Sequence, residues 1–264
     1  MEFSDLLGVT FGFLVGASLG LTGGGGSIFA VPLLLYGLSV PVGTAMGLSL
    51  ATVGVTAGFG ALLRFLHGEV EARAGLLFAM GGMITAQLGT TLGRHIAPAL
   101  LLSTFAVLMG YVGWRMWRGR ADDEQPENSR CIARGPGRFG VECYLRLGGG
   151  GAVAGLLSGL FGVGGGFIIV PTLLMVTGMS IHSAVATSLL VIFLISLSGV
   201  AAHVAHGQLF PMPLSLVFVT GGIAGMLLGN AMRARLSGQG LQRVFALGMW
   251  LVAIWMLAKN VSAR

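Results

Sequence analysis

The chain has 264 residues, of which 55% are hydrophobic and 9% are charged, and its mean hydropathy is +0.89. Soluble domains carry about 25% charged residues, so this composition excludes a soluble globular domain and predicts an all-α polytopic membrane protein. The net charge of +6 is interpreted as a topology signal, with the basic residues in cytoplasmic loops, so nucleic-acid binding is not predicted. We expect a multi-pass protein of a bacterial-type inner (plasma) membrane, surrounded by the lipid bilayer, whose basic residues mark cytoplasmic loops.

Apolar segments along the chain form two sets of five, separated by one polar stretch. A helix needs about 20 mostly apolar residues to span a membrane. The predicted segments are 5–21, 27–38, 42–65, 74–93 and 97–117, then 146–160, 166–177, 181–204, 212–232 and 240–258. We therefore divide the chain into a first transmembrane repeat (1–117), a cytoplasmic linker loop (118–145) and a second transmembrane repeat (146–264).

The second segment of each set is too short to span the membrane and follows a run of glycines. We call residues 23–26 the first break and residues 162–165 the second break. Glycine adopts backbone angles that other residues avoid, and a helix break at membrane depth is tolerated only where protein covers it or where it lines a polar cavity. Matched breaks in two halves of a transporter indicate its binding site. We predict a half-helix after each break.

The similarity between the two halves extends beyond the breaks. Pro32 aligns with Pro171 and Ser49 aligns with Ser188 without a gap. Glycines four residues apart recur near the start of each half, and such a face lets two helix backbones pack closely. They are Gly12, Gly16 and Gly20, and then Gly151, Gly155 and Gly159. The chain is therefore predicted to be an internal duplication of two homologous halves.

The number of crossings in each half decides how the halves are oriented. Five crossings per half make the halves inverted repeats, with both termini on the extracytoplasmic side. This arrangement places twelve of the fifteen Lys and Arg residues in the cytoplasm, in keeping with the positive-inside rule. The alternative counts each broken pair as one crossing, which makes the halves parallel and places eleven inside. The charges favour inverted repeats by this small margin.

The two cysteines, Cys131 and Cys143, both lie in the linker. Their spacing matches neither a metal-binding signature nor a C-x-x-C redox motif. In a cytoplasmic loop both are expected to be reduced thiols. No metal site and no cofactor are predicted.

Three glycine-rich stretches carry a resemblance to a known family: Gly23 to Pro32, Gly162 to Pro171, and Gly222-x-x-Gly225-x-x-x-Gly229. With these motifs the chain resembles the TauE/SafE family of sulfite and organosulfonate exporters, also called the toluene sulfonate uptake permease family. The resemblance covers nearly the whole chain except the linker. The first half departs from it, since Thr85 stands where the second half has Gly225. The resemblance implies transport of small sulfur-containing anions.

The position of the charged residues agrees with an anionic substrate. All nine acidic residues lie at a terminus or in a loop, so no carboxylate is available at mid-membrane to hold a cation. A helix N-terminus can hold an anion, because its free N–H groups and its dipole favour negative charge. We predict that a small anion binds between the two half-helix N-termini. The candidate substrate-binding residues are Gly24, Gly25, Gly26, Ser27, Ser49, Gly164, Gly165, Gly166 and Ser188.

Other interpretations of these residues stay open. The glycine runs could serve only close packing, and a serine in a membrane helix commonly bonds its own backbone or a neighbouring helix. Arg64 and its equivalent His203 are candidate gate residues, although Arg64 could instead extend to the lipid headgroups. Histidine can take up a proton near neutral pH. His203 and His206 are therefore candidates for proton coupling, with an interfacial structural role as the alternative.

These observations favour a membrane transporter for small sulfur-containing anions, working in export, over an enzyme. No paired carboxylates, His-rich cluster or Ser/His/Asp arrangement indicates catalysis, so no catalytic residue is predicted. The alternative function is a membrane-embedded anchoring subunit, or an enzyme, without transport activity. The short linker offers little surface on which a soluble partner could dock. A homodimer is left open.

Overall fold

The computed structural model of the protein describes residues 3–24, 26–118, 141–205, 212–233 and 238–262. Within these ranges the chain is helical, which confirms the predicted all-α fold, and each predicted segment has its helix. The helices of the first half are α1 (Phe3–Thr22), α2 (Ser27–Pro32), α3 (Val42–Leu66), α4 (Ala72–His95) and α5 (Pro98–Arg118). Those of the second half are α6 (Val141–Phe161), α7 (Gly166–Thr177), α8 (Ile181–Ala205), α9 (Met212–Arg233) and α10 (Gly238–Ser262).

Four of the described helices, α3, α4, α8 and α9, are long and apolar enough to cross a membrane. Shorter apolar stretches lie in α1, α2, α5 and α10. Helix α2 continues as a π-helical turn over Leu33–Gly37. This widening follows Pro32, which has no N–H group to donate to the preceding turn.

Helix α6 begins at Val141, inside the stretch predicted to be linker. Glu142 and Arg146 form an ion pair one helical turn apart, and such a pair supports a helix. Leu147 on the same helix is buried. The helix therefore continues beyond its apolar part, which is why a prediction from hydropathy began it too late. The remainder of the linker, residues 119–140, lies outside the described residues.

The most extensive helix contacts join the two halves. Helix α1 packs along α9, and α4 packs along α6. A Cβ atom built on Gly16 would overlap the carbonyl oxygen of Gly222, and one built on Gly155 would overlap that of Gly82. Glycine is required at these points because the backbones touch. The predicted glycine face is confirmed, and the two halves depend on each other for their packing.

The departure at Thr85 is explained at the same interface. The Thr85 hydroxyl donates a hydrogen bond of 2.7 Å to the carbonyl oxygen of Ala152 on α6. At Gly225, the equivalent position in α9, a Cβ atom would overlap the carbonyl oxygen of Phe13 on α1. The first half thus replaces a close backbone contact with an interhelical hydrogen bond.

Helices α3 and α8, which are equivalent in the duplication, pack against each other in antiparallel order. Gly54 of α3 contacts Ser196 of α8, whereas Gly60, further along α3, contacts Leu189, which is earlier in α8. Two equivalent helices that run antiparallel are what inverted repeats require. The orientation of the halves in the membrane itself stays a prediction.

The expectation of two reduced cysteines is wrong for Cys143, which is disulfide-bonded. The only other cysteine of the sequence, Cys131, lies outside the described residues. The expectation was based only on the reducing cytoplasm, and it did not consider whether two cysteine side chains come into contact in the folded protein. Disulfides are typical of oxidising compartments, so this bond argues against a cytoplasmic linker. The distribution of Lys and Arg residues argues in favour of a cytoplasmic linker.

A reporter fused to the C-terminus tests the orientation. With inverted halves and a cytoplasmic linker, both termini are extracytoplasmic, so a green fluorescent protein after Arg264 should remain dark and an alkaline phosphatase should be active. The matched control is each reporter inserted in the linker, where the signals should be reversed. A bright C-terminal green fluorescent protein would contradict this orientation.

Substitution of Gly155 tests the interface between the halves. Gly155→Ala should lower the melting temperature, because overpacking costs about 1–3 kcal/mol and the new methyl group would overlap a backbone oxygen of α4. Gly149→Ala on the same helix is the control, since a Cβ atom there has no neighbour within 4 Å among the described residues. Equal melting temperatures for the two purified variants would contradict the predicted dependence on close backbone contact.

Candidate functional site

The two breaks meet in the middle of the bundle. A Cβ atom built on Gly24 of the first break would lie 2.6 Å from the Cα atom of Gly166, where the second break ends. Gly164 lies against Val53 of α3 and Ile192 of α8, which are near the midpoints of these 25-residue helices. The half-helices α2 and α7 therefore begin close to one central point. Gly25 of the first break lies outside the described residues.

The second break has a backbone conformation that favours glycine. Gly162, Gly164 and Gly165 have φ angles of 71°, 70° and 66°, in the left-handed region that other residues rarely adopt. Gly165 precedes α7 and provides no side-chain cap. The N-terminus of α7 thus points its first N–H groups into the centre of the bundle with no side-chain cap on them.

The predicted serines at the first break donate their hydrogen bonds to backbone carbonyl groups of the protein. The Ser188 hydroxyl lies 2.6 Å from the carbonyl oxygen of Gly23 and donates a hydrogen bond to it. The Ser27 hydroxyl donates to the carbonyl oxygen of Gly24 at 2.7 Å. These two side chains hold the first break in place. Helix α2, with six residues, is also too short to provide a strong dipole.

Three serines near the second break are buried and unpaired. Ser49, Ser158 and Ser196 are each 0% exposed, and none of their hydroxyls has a hydrogen-bond partner among the described residues. A buried polar group without a partner costs about 1–3 kcal/mol, so native structures rarely leave one without a reason. Three such hydroxyls around one break make it the candidate site for a polar ligand.

Each of these serines faces the second break from a different helix. The Ser196 hydroxyl on α8 lies 3.5 Å from the position that a Cβ atom built on Gly164 would take. The Cβ atom of Ser158 on α6 lies 3.3 Å from the position that a Cβ atom built on Gly165 would take. Ser49 is on the face of α3 that also carries Val53, since residues four apart share a helix face.

The sequence analysis identified Ser49 but missed Ser158 and Ser196. Ser49 and Ser188 were predicted because they occupy equivalent positions in the two halves. The positions equivalent to Ser158 and Ser196 are Leu19 and Ala57, which have no hydroxyl group. A search for equivalent hydroxyl pairs cannot find them, and neither has a further sequence motif around it.

Arg64, a predicted gate residue, is buried near the end of α3. It is 3% exposed, so its guanidinium does not extend to the lipid headgroups. Nη2 donates hydrogen bonds to Asn230 Oδ1 at 2.7 Å and to the carbonyl oxygen of Gly20 at 3.3 Å. Nη1 lies 3.7 Å from a carboxylate oxygen of Glu69. Arg64 thus joins α1, α3 and α9 at the end of the bundle where the linker leaves α5.

His203, the equivalent of Arg64, lies at the opposite end of the bundle. It is 4% exposed and lines a cavity of about 260 Å³, together with Thr90 and Arg94 of α4. His206, the second histidine predicted for proton coupling, lies outside the described residues. The equivalent ends of α3 and α8 therefore have different surroundings, one filled by a guanidinium and one open.

The fold and the matched breaks define the class of the protein: a multi-pass helical membrane transporter. Residues 8–256 match the family described as Sulfite exporter TauE/SafE, and the chain belongs to this family.

Several bacterial proteins are similar over most of their length. Two proteins of Xylella fastidiosa named "Probable membrane transporter protein", from strains Temecula1 and 9a5c, are 37% and 36% identical over 253 residues, which is 94% of this chain and 93% of each relative. YdhB of Bacillus subtilis, of the same description, is 28% identical over 74% of this chain and 77% of its own length. No solved structure matches the chain.

The two aligned serines should respond differently to removal of the hydroxyl. Ser188→Ala leaves the buried Gly23 carbonyl without its donor, which should cost about 1–3 kcal/mol of stability. Ser49→Ala removes an unpaired hydroxyl and should leave stability unchanged or raise it. The measurement is the melting temperature of both variants in one detergent without added anion. Equal losses would contradict the different pairing of the two serines.

Proposed function

We propose that the protein exports small sulfur-containing anions, such as sulfite or a sulfonate, and that it holds the anion at the second break. The observation that supports this best is the set of three unpaired, buried hydroxyls of Ser49, Ser158 and Ser196 around the N-terminus of α7. The family described as sulfite exporter supports the substrate class and the direction.

The chemistry of the second break suits an oxyanion. Hydroxyl groups donate to anionic oxygens, and a hydrogen bond to a charged group contributes about 1.5–3 kcal/mol. The N-terminus of the 12-residue helix α7 adds a positive potential. The acidic side chains that the structure describes, Glu69, Glu71 and Glu142, lie at helix ends. They are therefore too far from the break to repel an anion strongly.

The first break forms the opposite wall of the proposed site. Gly24, Gly26, Ser27 and Ser188 are buried beside it. Because Gly24 and Gly166 are in contact, an anion can occupy the space directly between the two half-helices only when the breaks separate. We propose that binding begins at the three hydroxyls and that separation of the breaks accompanies passage.

Arg64 is the proposed gate at the end of the bundle opposite the cavity. Its bonds to Asn230 and to the Gly20 carbonyl hold α3, α9 and α1 together. An anion that leaves by this end must break these bonds, and a guanidinium can then pair with it directly. His203 is the proposed counterpart at the other end, where a proton can change its charge.

Flux of sulfite into proteoliposomes that contain only the purified chain tests this function. We expect saturable flux for the wild type. Ser49→Ala, Ser158→Ala and Ser196→Ala should each raise the half-saturating sulfite concentration about tenfold, which corresponds to about 1.4 kcal/mol. Ser103→Ala is the control, because that hydroxyl bonds the carbonyl oxygen of Ala99 within α5, outside the breaks.

The same assay separates the alternatives. Sulfite flux that is unchanged in all three serine variants would place the anion elsewhere. Absence of flux for sulfite and for alkyl sulfonates, with the purified chain folded, would favour an anchoring subunit without transport activity.

A further inference from the structure

We infer that the cavity beside His203 is an anion-binding vestibule, through which an anion passes between the membrane surface and the second break, and that Arg94 is the residue that attracts the anion there. This inference rests on the proposed function. It adds a second binding site and a residue, Arg94, that neither the breaks nor the repeat marks.

The cavity has a permanent positive charge on its lining. Arg94 and His203 both line it, and none of the described residues that line it is Asp or Glu. Its wall also includes Val42 and Gly43, the first residues of α3, and Pro98, the first residue of α5. Helix N-termini carry a partial positive charge. The C-terminal ends of α4, α6 and α8 also line the cavity and carry the opposite partial charge. The permanently charged guanidinium of Arg94 is therefore the group that attracts an anion to this small space.

The size and shape of the cavity fit a small anion. Its volume of about 260 Å³ lies just below the range of about 300–1,000 Å³ found for drug-sized ligands. A concave site lined by one sign of charge also concentrates counter-ions near its mouth. Arg94 is exposed and can thus meet an anion that arrives from water.

The cavity lies next to the second break. Met46 lines the cavity, and its Cα atom lies 2.5 Å from where a Cβ atom of Gly162 would be. Ser49, one turn further along α3, is one of the three unpaired hydroxyls. Met46 therefore separates the vestibule from the proposed central site. A methionine side chain is flexible enough to move aside for a passing ion.

The opposite end of the bundle shows why the cavity forms where it does. The residues equivalent to His203 and Thr90 are Arg64 and Asn230. At that end the Arg64 guanidinium fills the space between the helices and donates to Asn230 Oδ1. Imidazole and threonine side chains are smaller, so the equivalent space stays open. Equivalent positions in the two halves thus form an open end of the helix bundle at His203 and a closed end at Arg64.

Binding of sulfite to the purified full-length chain, followed by titration calorimetry, tests the vestibule. Arg94→Gln should raise the dissociation constant about tenfold, on the scale of one charge-assisted hydrogen bond. Arg94→Lys keeps the charge and should restore most of the affinity. Arg73→Gln is the matched control, since Arg73 is also an exposed arginine of α4 but lies at its other end.

Two further readouts separate recruitment of the anion from a structural role. The difference between wild type and Arg94→Gln should shrink as ionic strength rises, because salt screens exposed charges. In sulfite flux, Arg94→Gln should raise the half-saturating concentration and leave the maximal rate nearly unchanged. A lowered melting temperature with normal sulfite affinity would overturn the inference.

The outcomes also distinguish this inference from the proposed function. If the wild type transports sulfite and Arg94→Gln matches it in affinity and flux, the vestibule is wrong and the function stands. If the wild type does not bind sulfite but binds sulfate or chloride in a manner that depends on Arg94, the vestibule stands and the substrate class is wrong. Equal binding of all three anions by wild type and Arg94→Gln overturns the vestibule.

Discussion

A peptide group at membrane depth must find its hydrogen-bond partner within the protein, because lipid offers none. Both halves of this chain break a helix in the middle of the bundle, so each break needs a cover that is itself protein. Helices α3 and α8 provide that cover on two sides, and the breaks cover each other where Gly24 meets Gly166. The close glycine contacts of α1 with α9 and of α4 with α6 hold the surrounding helices near enough for this. The remainder of the architecture follows from this requirement.

The two breaks differ in the hydrogen-bond partners that surround them, and this difference suggests that the two halves have different roles. At the first break, the Ser188 and Ser27 hydroxyls both donate to backbone carbonyls. At the second break the hydroxyls of Ser49, Ser158 and Ser196 have no hydrogen-bond partner in the part of the protein that the structure describes. A duplicated protein that began with two equal halves can keep one for rigidity and adapt the other for a ligand. In the proposed mechanism the first break is the fixed wall, and the second break binds the anion.

The same divergence appears at the two ends of the bundle. Arg64 is bonded to Asn230 and the Gly20 carbonyl, which closes one end. His203 and Thr90 at the other end leave a cavity that contains Arg94. A carrier must expose its site to one side of the membrane at a time, and inverted repeats provide two related conformations for this purpose. The proposed vestibule, the central hydroxyls and the Arg64 gate then lie along one path through the protein.

The sequence by itself determined the helical membrane class, the ten segments, the duplication, the breaks and the family, because hydropathy and glycine spacing are local and periodic. It also indicated Ser49 and, through the repeat, Arg64 and His203, the residues proposed as gates. Only the tertiary structure decided which hydroxyls are free, since that depends on carbonyls from helices far apart in the chain, as for Ser188 and Gly23. Ser158, Ser196 and Arg94 could not be predicted, because no repeat marks them and their proposed roles depend on how α4, α6 and α8 pack together. The disulfide at Cys143 was likewise a matter of proximity in space, which spacing along the chain does not determine.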